Sequence, residues 1–161
     1  MRLILVTIFS ILFLFNSNFI YSENIKKRGT VTGLEIPRFV SLKKSRTFLR
    51  RGPGKSYKID WIYTRVGIPL KIDAEYGNWR RVIDFQGEGG WVHSRLLSGK
   101  RHIIFLKSKA ILKRKPNKKS PPVAIIQKGV IAKLISSDKY WSEISTTLGD
   151  AYSKLSIHQK N

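Results

Sequence analysis

The sequence predicts an all-β chain: two small barrels in tandem, the second degenerate, behind an N-terminal signal peptide. Three observations carry this. From Phe39 onward, short alternating runs such as Leu70-Lys71-Ile72-Asp73-Ala74 and Trp79-Arg80-Arg81-Val82-Ile83 are cut by turn signals, among them Gly52-Pro53-Gly54, Gly77-Asn78 and Gly87-Glu88-Gly89-Gly90. No segment after residue 38 keeps a 3.6-residue apolar period over two turns. The order of blocks then recurs roughly 60 residues later, which is how a repeated structural unit announces itself.

Leu3 to Phe15 is almost wholly apolar, follows Arg2, and gives way to Asn16-Ser17-Asn18 and then Ser22. That is the layout of a secretory signal, and the apolar run is shorter than the ~20 residues of a spanning helix. We expect a signal peptide at 1–22, cleaved near Ser22–Glu23 or, as the alternative, kept as an N-terminal anchor, and a linker at 23–35. A first unit at 36–99, a second at 100–157 and a tail at 158–161 should follow.

Four blocks define the repeat. Phe48-Leu49-Arg50-Arg51-Gly52-Pro53-Gly54 is echoed by Ile111-Leu112-Lys113-Arg114-Lys115-Pro116-Asn117. Val66-Gly67-Ile68-Pro69-Leu70 is echoed by Lys128-Gly129-Val130-Ile131-Ala132, and Asn78-Trp79 to Val82 by Tyr140-Trp141 to Ile144. Val92-His93-Ser94-Arg95-Leu96 is set against Ala151-Tyr152-Ser153-Lys154-Leu155. On that last alignment Trp91, expected in the core behind Gly89-Gly90, is replaced by Asp150, so the second barrel should be the weaker. Units this short close best as curled sheets around a few aromatic and aliphatic side chains.

The chain has no cysteine, which removes disulfides and thiolate metal sites. Lys plus Arg number 31 against 10 Asp plus Glu, a formal charge of +21 that predicts anionic partners. An exported protein rarely meets chromosomal DNA, so nucleic acid is not expected. Cell-wall carboxylates, acidic polysaccharides and lipid head groups are the natural anions, with membrane contact only through the signal segment or surface charge.

Catalysis finds no starting point. The three histidines, His93, His102 and His158, show no metal spacing, no Gly-x-Ser-x-Gly elbow exists, and the scattered carboxylates suit pairing with surplus cations. No enzyme activity and no cofactor are expected. Gly54-Lys55-Ser56 ends like a phosphate loop, but residue 49 is Leu rather than Gly and a strand follows, so it reads as a hairpin turn.

Two groups of residues are candidates for ligand contact. Tyr57, Trp61 and Tyr63 crowd one strand and its approach, where sides alternate and not every ring can point inward; Trp79 and Arg80 join them, with Trp79 expected mainly as a core or half-buried residue. The second group is the basic run Lys113, Arg114, Lys115, Lys118 and Lys119, which Pro116, Asn117 and Pro121-Pro122 mark as a solvated loop.

The motifs Val40-Ser41-Leu42-Lys43, Leu49-Arg50-Arg51-Gly52-Pro53-Gly54, Val66-Gly67-Ile68-Pro69-Leu70, Asn78-Trp79-Arg80-Arg81-Val82 and Gly90-Trp91-Val92-His93 resemble the bacterial SH3-like (SH3b) family, in its exported tandem form. The resemblance implies SH3-like barrels and a periplasmic or secreted binding or targeting role. Its partner would be peptidoglycan or another anionic envelope polymer. The alternative is a protein–protein adaptor, including a secreted effector with a host partner.

Overall fold

The computed structural model describes residues 27–146 and 149–154; the expected signal peptide and the tail lie outside them. The architecture is all-β, in two sheets. The first contains β1 (Arg38–Leu42), β2 (Thr47–Arg50), β3 (Ile59–Tyr63), β4 (Pro69–Tyr76), β5 (Trp79–Ile83), β6 (Gly89–His93) and β7 (Leu97–Ser98), in spatial order β3-β2-β6-β5-β4-β1-β7. The second contains β8 (His102–Ile104), β9 (Lys109–Lys113), β10 (Pro122–Gln127), β11 (Ile131–Ser137), β12 (Trp141–Thr146) and β13 (Gly149–Lys154), in the order β10-β9-β13-β12-β11-β8. Matched from β1 and β8 onward, the two orders are identical apart from β7, which has no counterpart among the described residues.

The likeness extends to single residues. Ile72 faces Val82 and a bulge follows before Ala74; Leu134 faces Ile144 and a bulge follows before Ser136. Gly67 donates its N–H to Leu42 O and Gly129 to Phe105 O, both with positive φ (79° and 82°), a backbone setting that favours glycine in each turn.

The first sheet is curled but not closed. β6 reaches β7 through a single 3-10 turn, Ser94–Leu96, although four strand spacings, about 19 Å in a flat sheet, separate them. Three residues rising about 2 Å each do not span that distance, so the sheet must bend round. No ladder joins β3 to β7, however. The expected all-β fold of small curled units therefore holds, and in the first unit the ring is completed by the chain itself and not by a β3–β7 ladder.

Alternation sets the cores. Ile36, Val40, Leu42, Leu49, Leu70, Ile72, Val82 and Val92 fill the first. Phe105, Leu112, Ala132, Ile144 and Ala151 fill a thinner second one, with Ala132 where the first has Leu70. Trp91 is not in the core. Val92 is fully buried, so period-two alternation turns Trp91 outward, where it is half-buried. The expected substitution by Asp150 is corrected too. Arg50 faces Trp91 and Lys113 faces Tyr152, so Tyr152 is the counterpart and the aromatic is kept. No core tryptophan has been lost.

Residues 27–35, which the sequence offered only as connector, make a turn packed on the first sheet. Val31 N (3.0 Å), Thr32 N (2.9 Å) and Thr32 Oγ1 (2.7 Å) all donate to the carboxylate of Glu75. Arg38 Nη2 lies 2.6 Å from the same carboxylate and Arg80 Nε 3.4 Å. The Glu75 side chain is fully buried. Burial alone would raise its pKa, but the hydrogen bonds from Thr32, Arg38 and Val31 prevail and hold it at about 2. The second sheet keeps none of this: Ser137 and Ser142 face each other in the place of Glu75 and Arg80, with their Oγ atoms 3.1 Å apart.

Candidate ligand-binding surface

Because Arg80, Val82 and Val92 point inward, Trp79, Arg81, Trp91 and His93 point outward. Register then assembles two rows across the outer face of the first sheet. One runs Arg81, Trp91, Arg50 across β5, β6 and β2; the other runs Tyr76, Trp79, His93 across β4, β5 and β6. Trp79 meets the His93 ring edge-on, with centroids 5.5 Å apart. Tyr76 is 64% exposed, whereas Trp79 and Trp91 are half-buried.

The β2–β3 loop borders this face. Arg50 Nη1 donates to Tyr57 O (2.7 Å), and the Tyr57 ring lies over Gly52 and Gly54, where a Cβ at Gly52 would collide with it. His93 Nδ1 accepts the Arg95 N–H at 3.3 Å. Burial, then the positive charges of Arg95, Lys55 and Arg80, lower its pKa, so the ring is neutral at pH 7 and the fixed positive charge comes from arginine and lysine.

The expected site residues separate on this framework. Tyr57 (48% exposed) borders the outer face. Trp61 (44% exposed) sits opposite buried Leu49, at the open mouth of the core. Tyr63 is half-buried and donates its hydroxyl to Asp84 Oδ2 at 2.7 Å; burial, then that bond and the charges of Asp84 and Glu88, raise its pKa well above the ordinary value. Arg80 is removed from the accessible set. Its guanidinium is buried between Glu75 and the carbonyls of Gly77 and Trp79, because it stands directly across the hairpin from Glu75.

The basic run belongs to the other sheet, in the β9–β10 loop. Lys113 is turned back, its Nζ donating to Ser120 O at 2.8 Å, just as Arg50 holds Tyr57 O. Arg114, Lys115, Lys118 and Lys119 are exposed.

Sequence reasoning missed Arg50, Tyr76, Arg81, Trp91 and His93. The signal was present: placing Val82 and Val92 inward puts their neighbours on the opposite face. The carboxylates of the first sheet are engaged: Asp60 with Arg51 and Asp73 with Arg81 at 2.8 Å each, Glu75 and Asp84 as above. Among the described residues no group of three or more His, Asp or Glu is placed to hold a metal ion.

Residues 43–99 match the family model of the bacterial SH3 domain, so the resemblance read from the motifs is borne out over that stretch. The stretch contains the whole surface just described, and the family is one of binding modules. No curated protein matches the chain.

Proposed function

We propose that this chain is an exported, non-catalytic binding protein whose first SH3 unit docks on an anionic envelope polymer, peptidoglycan foremost. One observation carries the reading: a continuous outer face on which Tyr76, Trp79 and Trp91 alternate with Arg50 and Arg81, in a chain of net charge +21. Flat aromatic faces grip the apolar side of a sugar ring, and Arg50 brings a guanidinium to a carboxylate, while Arg81 is already ion-paired with Asp73. The exported location rests on the apolar run Leu3 to Phe15.

The test is co-sedimentation with purified, protein-free sacculi across a salt series. Screening contracts the Debye length from about 10 Å at 0.1 M to about 3 Å at 1 M, so the charge-driven part of retention falls while the stacked part persists. Replacing Trp79 and Trp91 together by Ala should remove the salt-resistant part, with circular dichroism confirming the fold. Replacing Arg114, Lys115, Lys118 and Lys119 should flatten the salt dependence; Lys113 is spared because it holds its own loop. Retention equal to wild type in the folded double variant, with no salt dependence, would sink the polymer reading and leave the protein adaptor.

A further inference from the structure

The two sheets differ in the side chain that stands beside the same buried leucine at the edge of the core. Leu49 faces Trp61 across β2 and β3; Leu112 faces Ala124 across β9 and β10, so a methyl group stands where the first unit has an indole. Here lies an open hollow of ≈320 Å³, lined by Leu112, Val123, Ala124 and Ala151 together with Arg114, Gly149 and Asp150. Apolar cavities of about 150 Å³ already hold benzene, so an indole or phenol ring fits this one.

Its rim has changed as well. In the first sheet Arg51 is tied to Asp60 at 2.8 Å. The residue in the place of Asp60 is Val123, which leaves the guanidinium of Arg114 with no carboxylate on that strand. β10, which carries Val123 and Ala124, is paired only with β9 among the described residues, so its other edge presents backbone donors and acceptors.

We propose that this hollow receives an aromatic side chain from a partner polypeptide that lies along β10 as an added strand. The internal template names the occupant: at the equivalent register position one unit earlier stands the partly exposed indole of Trp61. A free strand edge supplies the hydrogen bonds of strand addition, and the hollow supplies specificity for one side chain. A pyranose would find side-chain hydrogen-bond partners only at the rim, on Arg114 and Asp150, and none on Leu112, Val123, Ala124 or Ala151. This site is on the other sheet from the polymer face and stands or falls separately from it.

The experiment is an NMR titration of the folded chain with N-acetyltryptophanamide, with methyl β-glucoside as the competing chemistry. Saturable shifts of the Ala124 and Ala151 amides are expected with the first probe, and at least tenfold weaker binding in Ala124→Trp, which fills the hollow from within. The converse variant Trp61→Ala should open the equivalent space in the first sheet and raise the stoichiometry from one to two. That variant decides the matter should Ala124→Trp fail to fold. Undiminished binding in folded Ala124→Trp, no second site in folded Trp61→Ala, or equal binding of the glucoside overturns the proposal. Sacculus retention is unaffected by any of these results, so the two readings fail independently.

Discussion

The two sheets share strand order, turn glycines and even the position of a β-bulge, yet differ in what they bury. The first buries an ionised carboxylate between two arginines; the second puts two serine hydroxyls in the same place. Since the second sheet forms without the charges, the fold does not require them. What they add is visible in the first unit alone: Glu75 is the anchor on which Thr30, Val31 and Thr32 hold the N-terminal turn. The comparison teaches that a buried ion cluster can serve attachment rather than core stability, in line with the modest net value of such clusters.

The sharpest way to break this comparison is to remove its centre. Glu75→Ala leaves Arg38 and Arg80 facing each other without a counter-charge and should destabilise the first sheet by about 3–5 kcal/mol. Ser142→Ala, at the matching level of the second, removes one neutral hydrogen bond and should cost about 1 kcal/mol. Urea denaturation followed by far-UV circular dichroism measures both, and equal losses would mean that Glu75 is no anchor.

The same carboxylate sets a pH dependence. Its pKa is depressed in the folded state, from an ordinary 4.5 to about 2, so its contribution is fully present above 4.5 and is lost as pH falls from there towards 2. The denaturation midpoint should therefore fall over that interval in the wild type and fall less in Glu75→Gln. Parallel profiles would show that other groups govern acid unfolding.

A smaller effect separates the two equivalent loops. Gly52→Ala forces the Tyr57 ring from its seat and should destabilise by about 1–3 kcal/mol. Lys115→Ala, at the matching position where Ser120 replaces Tyr57, is a surface change expected to stay within about 0.5 kcal/mol. Thermal melts of the two variants side by side check the contrast; a silent Gly52→Ala would mean that the ring has another place to go.

Much of the fold was legible because its determinants are local and repeated. Leu49 and Leu112, Gly67 and Gly129, and Val82 and Ile144 recur in order, and each marks a turn or an inward position. The face of Trp91 was not legible from its neighbours Gly89 and Gly90, since glycine reports little about which side of a strand is buried; the decisive residue was Val92. The slip that set Asp150 against Trp91 came from misjudging the β5–β6 loop, and a small slip in register reassigns every side chain on a strand. Burial of Arg80 needed Glu75, directly across the hairpin, to be read as its partner. The hollow at Ala124 was beyond reach, because it appears only once the pairing of β9 and β10 shows which residue replaces Trp61.

The link between the sheets has a consequence of its own. β7 ends at Ser98 and β8 begins at His102, and the junction is pinned where His102 Nδ1 lies 3.0 Å from Ser41 Oγ and where the His102 and Ile131 side chains crowd Gly67. The two proposed surfaces, on so short a tether, would not search independently. Once one had engaged, the other would be confined to a small volume around it, at an effective concentration set by the geometry of this short, pinned junction. A scaffold offering both ligands at the matching distance would be held far more tightly than either alone, and one offering them farther apart than this junction spans would gain nothing. On those two proposals the three residues Gly99, Lys100 and Arg101 would act as a ruler, and lengthening them would change which scaffolds can be held at both points.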